Sequence, residues 1–271
     1  MPNSAPRNLR DALQHYRIRP NHKLGQNFLC DEGVLRREVE YASLEETDVV
    51  LEIGPGPGNL TRRLLERAGR VVAIERDRQF APCLNDLQKR HDHLEVIWGD
   101  ALEVDFPAFD KVVANLPYSV ALPLIFKMLD QRFHRGVLVF QKRLAERICA
   151  HVGEKGYCRL SVALKRRANV EIIEALGRDI FHPRPNVDSA IVSIERTKPR
   201  FDIPSEESFR LLLEGLFLHR ELSVEQALRK VGSGVFPPQS IPRISGKLRG
   251  KAVCRVTPRE FGDIARVGRQ S

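Results

Sequence analysis

The stretch VVLEIGPGPGNLT (49–61) decides how this chain is to be read. Val49 to Ile53 is a short apolar run rich in β-branched residues, the pattern of a buried strand. Three alternate glycines, Gly54, Gly56 and Gly58, follow, and then Leu60, Leu64 and Leu65 recur at helical spacing. Strand, glycine turn and helix form the first half of a nucleotide-binding βαβ unit. Glycine suits such a turn because backbone must come close to a ligand and take positive φ angles. A dinucleotide fingerprint wants its third glycine where Asn59 stands, and a P-loop wants Gly-Lys-Ser/Thr, which is absent. What remains is a Glu-x-Gly-x-Gly-x-Gly turn in an α/β protein.

Outward from this unit, strands are expected at Val71–Ile74, Leu94–Trp98, Lys111–Ala114, Val137–Phe140, Val170–Ile173 and Ala190–Ile194. Helices are expected at Leu9–Tyr16, Val34–Tyr41, Gln79–Arg90, Leu144–Ala150 and from Leu160 into Lys165-Arg166-Arg167. Beyond Pro199 the pattern becomes helical, at Phe209–Leu218, Val224–Val231 and Pro258–Ala265, with a Gly/Pro-rich stretch over 232–246. The division expected is a basic extension over 1–22, a nucleotide-binding α/β domain over 23–199 and a small helical domain over 200–271.

The net charge of +9 is unevenly distributed. Residues 1–23 carry +4, 24–134 carry −6, 135–200 carry +7 and 201–271 carry +4. An acidic nucleotide-binding core flanked by basic segments points to a polyanionic substrate beside a cationic cofactor. Five cysteines without a Cys-x-x-Cys pair argue against a disulfide framework or a zinc site, and His91 and His93 read as surface residues. No run of about 18 apolar residues occurs and no signal-peptide core opens the chain, so a cytoplasmic protein is expected.

Three positions after strands carry candidate chemistry. Glu75 ends the second strand roughly 20 residues beyond the glycines, where an acid accepts ribose hydroxyls of an adenosine. Asp100, in Gly99-Asp100-Ala101 after the third strand, is placed to accept the amino group of an adenine ring. Asn115-Leu116-Pro117-Tyr118 follows the fourth strand, at the sheet edge where open α/β folds bind ligands. It offers an amide, carbonyls, a proline that fixes the turn and an aromatic face. Those parts suit a planar base bearing an exocyclic amine.

Together the segments resemble the small-subunit ribosomal RNA adenine dimethyltransferase family. The matching pieces are KLGQNFL (23–29), LEIGPGPGNLT (51–61), VVAIERD (71–77), GDA (99–101), NLPY (115–118), FQKRLAERI (140–148), RLSV (159–162) and FHPRPNVDSAIV (181–192). Large-subunit macrolide-resistance methyltransferases and mitochondrial transcription factors related to the family share much of this pattern. The resemblance implies a Rossmann-like methyltransferase fold, a mostly parallel seven-stranded sheet with a small all-helical C-terminal domain. It implies S-adenosylmethionine (SAM) as methyl donor, bound by Asn27, Leu29, Gly54, Gly56, Glu75, Asp100 and Asn115, and no metal. It implies a base held by Asn115, Leu116, Pro117 and Tyr118, with Phe181 on its other face. The expected reaction is dimethylation of the 6-amino group of two adjacent adenosines near the 3′ end of small-subunit rRNA, by a monomer acting on an assembling ribosomal subunit. Two alternatives stand beside it: a catalytically silent RNA- or DNA-binding factor, and a large-subunit rRNA adenine methyltransferase. Two positions depart from the family pattern. Arg143 stands where members often carry an acid. Phe217-Leu218-His219-Arg220 is followed by Glu221-Leu222-Ser223, where the family's C-terminal domain has a basic Phe-x-x-Arg-Arg-Lys helix.

The charge pattern predicts RNA binding that falls steeply with salt. The +4 and +7 segments supply several phosphate contacts, each adding about −0.7 to −0.9 to the slope of log affinity against log salt. Filter binding across a salt series reads that slope, and a slope near zero would mean the charge asymmetry serves something else.

Overall fold

The computed structural model describes residues 9–21 and 24–269. Residues 1–8 and 22 of the expected basic extension, and Lys23, therefore lie outside the described residues. The first unit opens with α1 (Leu9–His15), the two-residue strand β1 (Phe28–Leu29) and α2 (Glu32–Ala42). Asp31 caps α2 through its side chain, which accepts the Val34 N–H at 2.9 Å. Then come β2 (Val49–Ile53), α3 (Asn59–Leu65), β3 (Arg70–Glu75), α4 (Ala81–Gln88), β4 (Leu94–Trp98), β5 (Lys111–Asn115), α5 (Ala121–Leu129) and β6 (Arg135–Gln141). The chain continues through α6 (Lys142–Cys149), α7 (Arg159–Arg167), β7 (Ala168–Leu176), β8 (Phe181–His182) and β9 (Ser189–Arg196).

Seven strands form one sheet in the order β4-β3-β2-β5-β6-β9-β7. The pairs β3–β4, β2–β3, β2–β5 and β5–β6 are parallel, and β6–β9 is antiparallel. The order reverses at β2, so the crevice beyond the ends of β2 and β5 is a topological switch point, where such sheets take ligands. β2 reads Val-Val-Leu-Glu-Ile and is buried from Val50 to Ile53, as a strand covered on both faces must be. α2 packs on β5 and β6, and α4 on β4. A second, two-stranded sheet pairs β1 with β8 and joins two segments more than 150 residues apart, with Leu29 opposite Phe181.

The compact units are Met1–Ala145 with Glu171–Arg196, and Glu146–Val170 with Thr197–Ser271. This differs from the division expected from composition, because Glu146–Val170 belongs with the helical unit. The reason is apolar: Ala150, Tyr157 and Val162 share a core with Phe209, Leu212, Leu213 and Phe261. The Tyr157 hydroxyl donates to the Val256 carbonyl at 2.8 Å. This unit also holds α8 (Glu206–Phe217), α9 (Val224–Leu228), α10 (Gly246–Arg249) and α11 (Pro258–Arg269).

Two local features escaped the sequence pattern. α5 is buried along Ala121, Leu124, Ile125, Met128 and Leu129, a helical spacing that the expected elements do not include. Its proline, Pro123, falls in the first turn, where no intrahelical donor is lost. The Lys165-Arg166-Arg167 run is not a simple solvated face: Arg166 is buried, pairs with Glu206 at 2.6 Å and donates to the Phe201 carbonyl at 3.1 Å.

Candidate functional site

Parallel pairing sets the carboxyl ends of β2, β3, β4 and β5 along one edge, with Ile53 beside Ile74, Glu75 beside Trp98 and Asn115 beside Val139. The loops that leave this edge line one cavity. All the expected residues lie on it: Asn27, Leu29, Gly54, Gly56, Glu75, Asp100, Asn115, Leu116, Pro117, Tyr118 and Phe181.

The glycine turn is the floor. Gly54 has φ +71°, and a side chain added there would meet nothing within 4 Å, so its backbone faces open space. Gly56 has φ +54°, and its added Cβ would lie 2.9 Å from the Phe28 ring. Glycine at 56 is thus fixed by the chain packed above it, and glycine at 54 by conformation and by access to the cavity. Beneath the turn, one Glu75 carboxylate oxygen accepts the Gly56 N–H at 3.0 Å and the other accepts the Asp77 N–H at 2.8 Å. Burial raises the Glu75 pKa above the usual carboxylate range, and the backbone donors oppose that. Each oxygen keeps lone pairs free for a ligand.

Asp100 accepts the Leu102 N–H at 3.0 Å through one oxygen and pairs with Arg76 at 3.0 Å through the other. Asn27 is steadied by its own turn, donating to the Gly25 carbonyl at 3.1 Å. Leu29 is held from two sides: its carbonyl accepts from Asn59 Nδ2 at 3.1 Å, and its backbone pairs with Phe181. Gln26 donates to Asp77 at 2.7 Å, tying the N-terminal loop to the end of β3.

On the loop after β5, the Leu116 N–H donates to the Val139 carbonyl at 2.9 Å, and the Pro117 carbonyl accepts the Val120 N–H at 3.1 Å. Among the described residues no donor reaches the Leu116 carbonyl. The Tyr118 hydroxyl bonds Ser189 Oγ at 2.6 Å, and burial raises its pKa. Asn115 Oδ1 is buried without a partner. A backbone carbonyl and an amide oxygen are the acceptor types that the two hydrogens of an amine require.

Sequence reasoning missed four contributors. Ser189 anchors Tyr118 from β9 and Arg76 holds Asp100; both are ordinary polar residues until the fold brings them close. Behind the floor, Glu38 and Glu52 are fully buried carboxyls. Burial pushes Glu52 up to about 8, with the Thr61 hydroxyl opposing and the Glu75 charge reinforcing the shift. A glutamate in an amphipathic helix reads as outward-facing, so Glu38 gave no signal.

The family model for ribosomal RNA adenine dimethylase matches residues 17–247. A probable ribosomal RNA small subunit methyltransferase A of Thermococcus kodakarensis is 44% identical over 218 residues, 80% of this chain and 77% of that one. Its counterpart in Pyrococcus abyssi is 38% identical over 256 residues, 93% of each chain. Among solved structures, a dimethyladenosine transferase from Plasmodium falciparum superposes with a TM-score of 0.75 at 28% identity, covering 86% of this chain and 94% of that one. The 23S rRNA methyltransferase ErmE superposes with a TM-score of 0.69 at 27% identity, covering 90% and 100%.

The buried acids predict a pH dependence. Glu52 has a folded pKa near 8 against 4.5 unfolded, so the folded state holds the extra proton between those values. Stability falls as pH rises through that window and levels off above it. Glu52→Gln removes this group's titration, so the loss of stability from pH 5 to pH 8 should be smaller in the variant. Urea denaturation at both pH values measures it, and parallel losses in the two proteins would contradict the assignment.

Proposed function

The chain belongs to the ribosomal RNA adenine dimethylase family, and from that premise we propose a division of the cavity into a cofactor half and a base half. The protein is a SAM-dependent methyltransferase that dimethylates adenine N6 in small-subunit rRNA. The observation that carries the site reading is one cavity lined by Glu75 and Asp100 together with Asn115, Leu116, Tyr118 and Phe181.

The residues present fit the cofactor. Gly54 leaves its side of the turn open, Glu75 offers acceptor capacity at the distance along the chain expected for a ribose, and Asp100 ends the next loop. When bound, SAM supplies an electrophilic methyl group on a sulfonium sulfur. The protein's own task is to bring a poor nucleophile into line. An adenine amine has its lone pair delocalised into the ring. Asn115 Oδ1 and the Leu116 carbonyl accept its two N–H hydrogens and turn the lone pair toward the cofactor end of the cavity. Tyr118 and Phe181 hold the ring between them. Extruding a base from its stack costs a few kcal/mol, and stacking on aromatic side chains returns about 1–3 kcal/mol per base. Alignment then supplies most of the acceleration. After transfer the ammonium is acidic enough to lose its proton to water, so no general base is needed.

The same reading covers the setting: a monomer acting in the cytoplasm on rRNA within an assembling small subunit. The relatives at 38–44% identity are named for the small subunit, and the structure named for 23S rRNA stands at 27%, which favours the small-subunit substrate. Primer extension on rRNA treated with and without the protein tests it, through stops at two adjacent adenosines near the 3′ end.

Glu75→Ala should weaken SAM binding roughly ten- to a hundredfold. A hydrogen bond to a charged group is worth about 1.5–3 kcal/mol, and the Gly56 and Asp77 N–H groups lose their shared acceptor as well. Calorimetry gives the dissociation constant, and an unchanged value in a folded variant would rule out the ribose role.

Tyr118→Ala should abolish transfer and leave SAM affinity nearly intact, because it removes one stacking face. Tyr118→Phe keeps that face and loses the bond to Ser189, at about 1 kcal/mol of stability, so it should retain most activity. Equal inactivity of the two variants would show that the hydroxyl matters, against the stacking role.

A further inference from the structure

Glu38 is the least expected side chain in the core. It lies on α2 with 0% of its surface exposed, and neither carboxyl oxygen has a hydrogen-bond partner. α2 packs here onto β5 and β6, where an apolar side chain would serve the core better. Burial first, and the charge on Glu52 second, push the Glu38 carboxyl well above the usual carboxylate range. Both effects favour the protonated form of the carboxyl, which keeps a carbonyl oxygen able to accept. The Asn115 amide is a hydrogen-bonding neighbour that acts on this carboxyl.

Asn115 stands at the end of β5 and lines the cavity, and its Oδ1 is itself buried without a partner. The amide thus has a carboxyl at one side and an unused acceptor. Its two ends are sterically equivalent but chemically opposite. Turned one way, the amide presents an oxygen to the incoming amine. Turned the other way, it presents an NH2 group, and two donors meet.

We propose that Glu38 is a positioning residue for methyl transfer: its carboxyl oxygen takes the Nδ2–H of Asn115 and keeps Asn115 Oδ1 turned to accept an N–H of the target amine. This rests on the reading of Asn115 given above. An apolar residue at 38 leaves Nδ2 without an acceptor and removes the preference between the two orientations. Hydrogen bonds in catalytic sites commonly tighten only in the substrate complex. A destabilising group kept in the core at a functional wall is the usual form of a trade between stability and activity.

The test compares wild type, Glu38→Met and Glu38→Gln. It uses steady-state methyl transfer to small-subunit particles, calorimetric SAM affinity and thermal unfolding. Glu38→Met should melt at or above the wild-type temperature and bind SAM within about twofold. Its KM for the particle should be unchanged and its kcat should fall about tenfold or more, the pattern of a contact made only in the transition state. Glu38→Gln keeps an oxygen that can accept from Nδ2 and should stay within about threefold of wild-type kcat. Wild-type kcat in Glu38→Met would overturn the proposal. So would losses of kcat in both variants that track a loss of melting temperature, since that is a packing role. Wild type that transfers no methyl group to rRNA would overturn the functional reading and this inference with it, a result distinct from an active wild type beside an active methionine variant.

Discussion

One carboxylate joins the two loops on which the site depends. Glu75 ends β3, and its oxygens take the N–H of Gly56 from the loop after β2 and the N–H of Asp77 from its own loop. Both donors are backbone groups near a sheet edge that has no further strand to bond them, so the bonds satisfy groups the sheet leaves open. Asp77 in turn accepts from Gln26, which fixes the N-terminal loop over the same edge. Phe28 then fills the space over Gly56, and β1 pairs with β8 to bring Phe181 across. The order of dependence runs from Glu75 to the glycine turn, to the loop before β1, to the far wall.

The site is surrounded by acids that a stable core would avoid. Glu38, Glu52 and Glu75 are all buried, and burial raises the pKa of each. Glu75 has backbone donors that offset part of its desolvation, whereas Glu52 and Glu38 have fewer partners and stand closer to neutral. Glu52 and Glu75 line the cavity, and acids shifted toward the protonated form remain acceptor-rich without the full cost of buried anions. Such a wall suits a cationic cofactor and an amine whose hydrogens need acceptors.

Net charge by segment overstates how many cations are available to RNA. Arg166 is committed to Glu206 and the Phe201 carbonyl, and Lys165 donates to the Ala150 carbonyl at 2.6 Å. Arg220, the remaining basic residue of the altered C-terminal motif, donates to the Lys155 carbonyl at 2.9 Å and pairs with Glu221 at 3.0 Å. α8 ends at Phe217, and Leu218 is left 80% exposed. The usual basic helix is thus replaced by a turn whose arginine braces its own unit, and the cations left exposed include Arg143 and Arg147.

Much of this was legible in the chain because it is local. The seven strands announce themselves by β-branched apolar runs, the glycine turn by spacing, and the acids after β3 and β4 by distance from that turn. Parallel pairing then forces their loops to one edge, so the site's location follows from pattern alone. The tertiary structure decided what depends on contacts remote in sequence. Phe181 reaches the cavity only because β8 pairs with β1, and Tyr118 is oriented by Ser189 some seventy residues on. Glu146–Val170 joins the helical unit because its apolar side chains find partners there, a preference that a linear charge or proline pattern does not carry. Glu38 is the sharpest case. Amphipathic spacing assigns a helix face by residue type, and only packing shows that this acid was turned inward, against an amide it can orient.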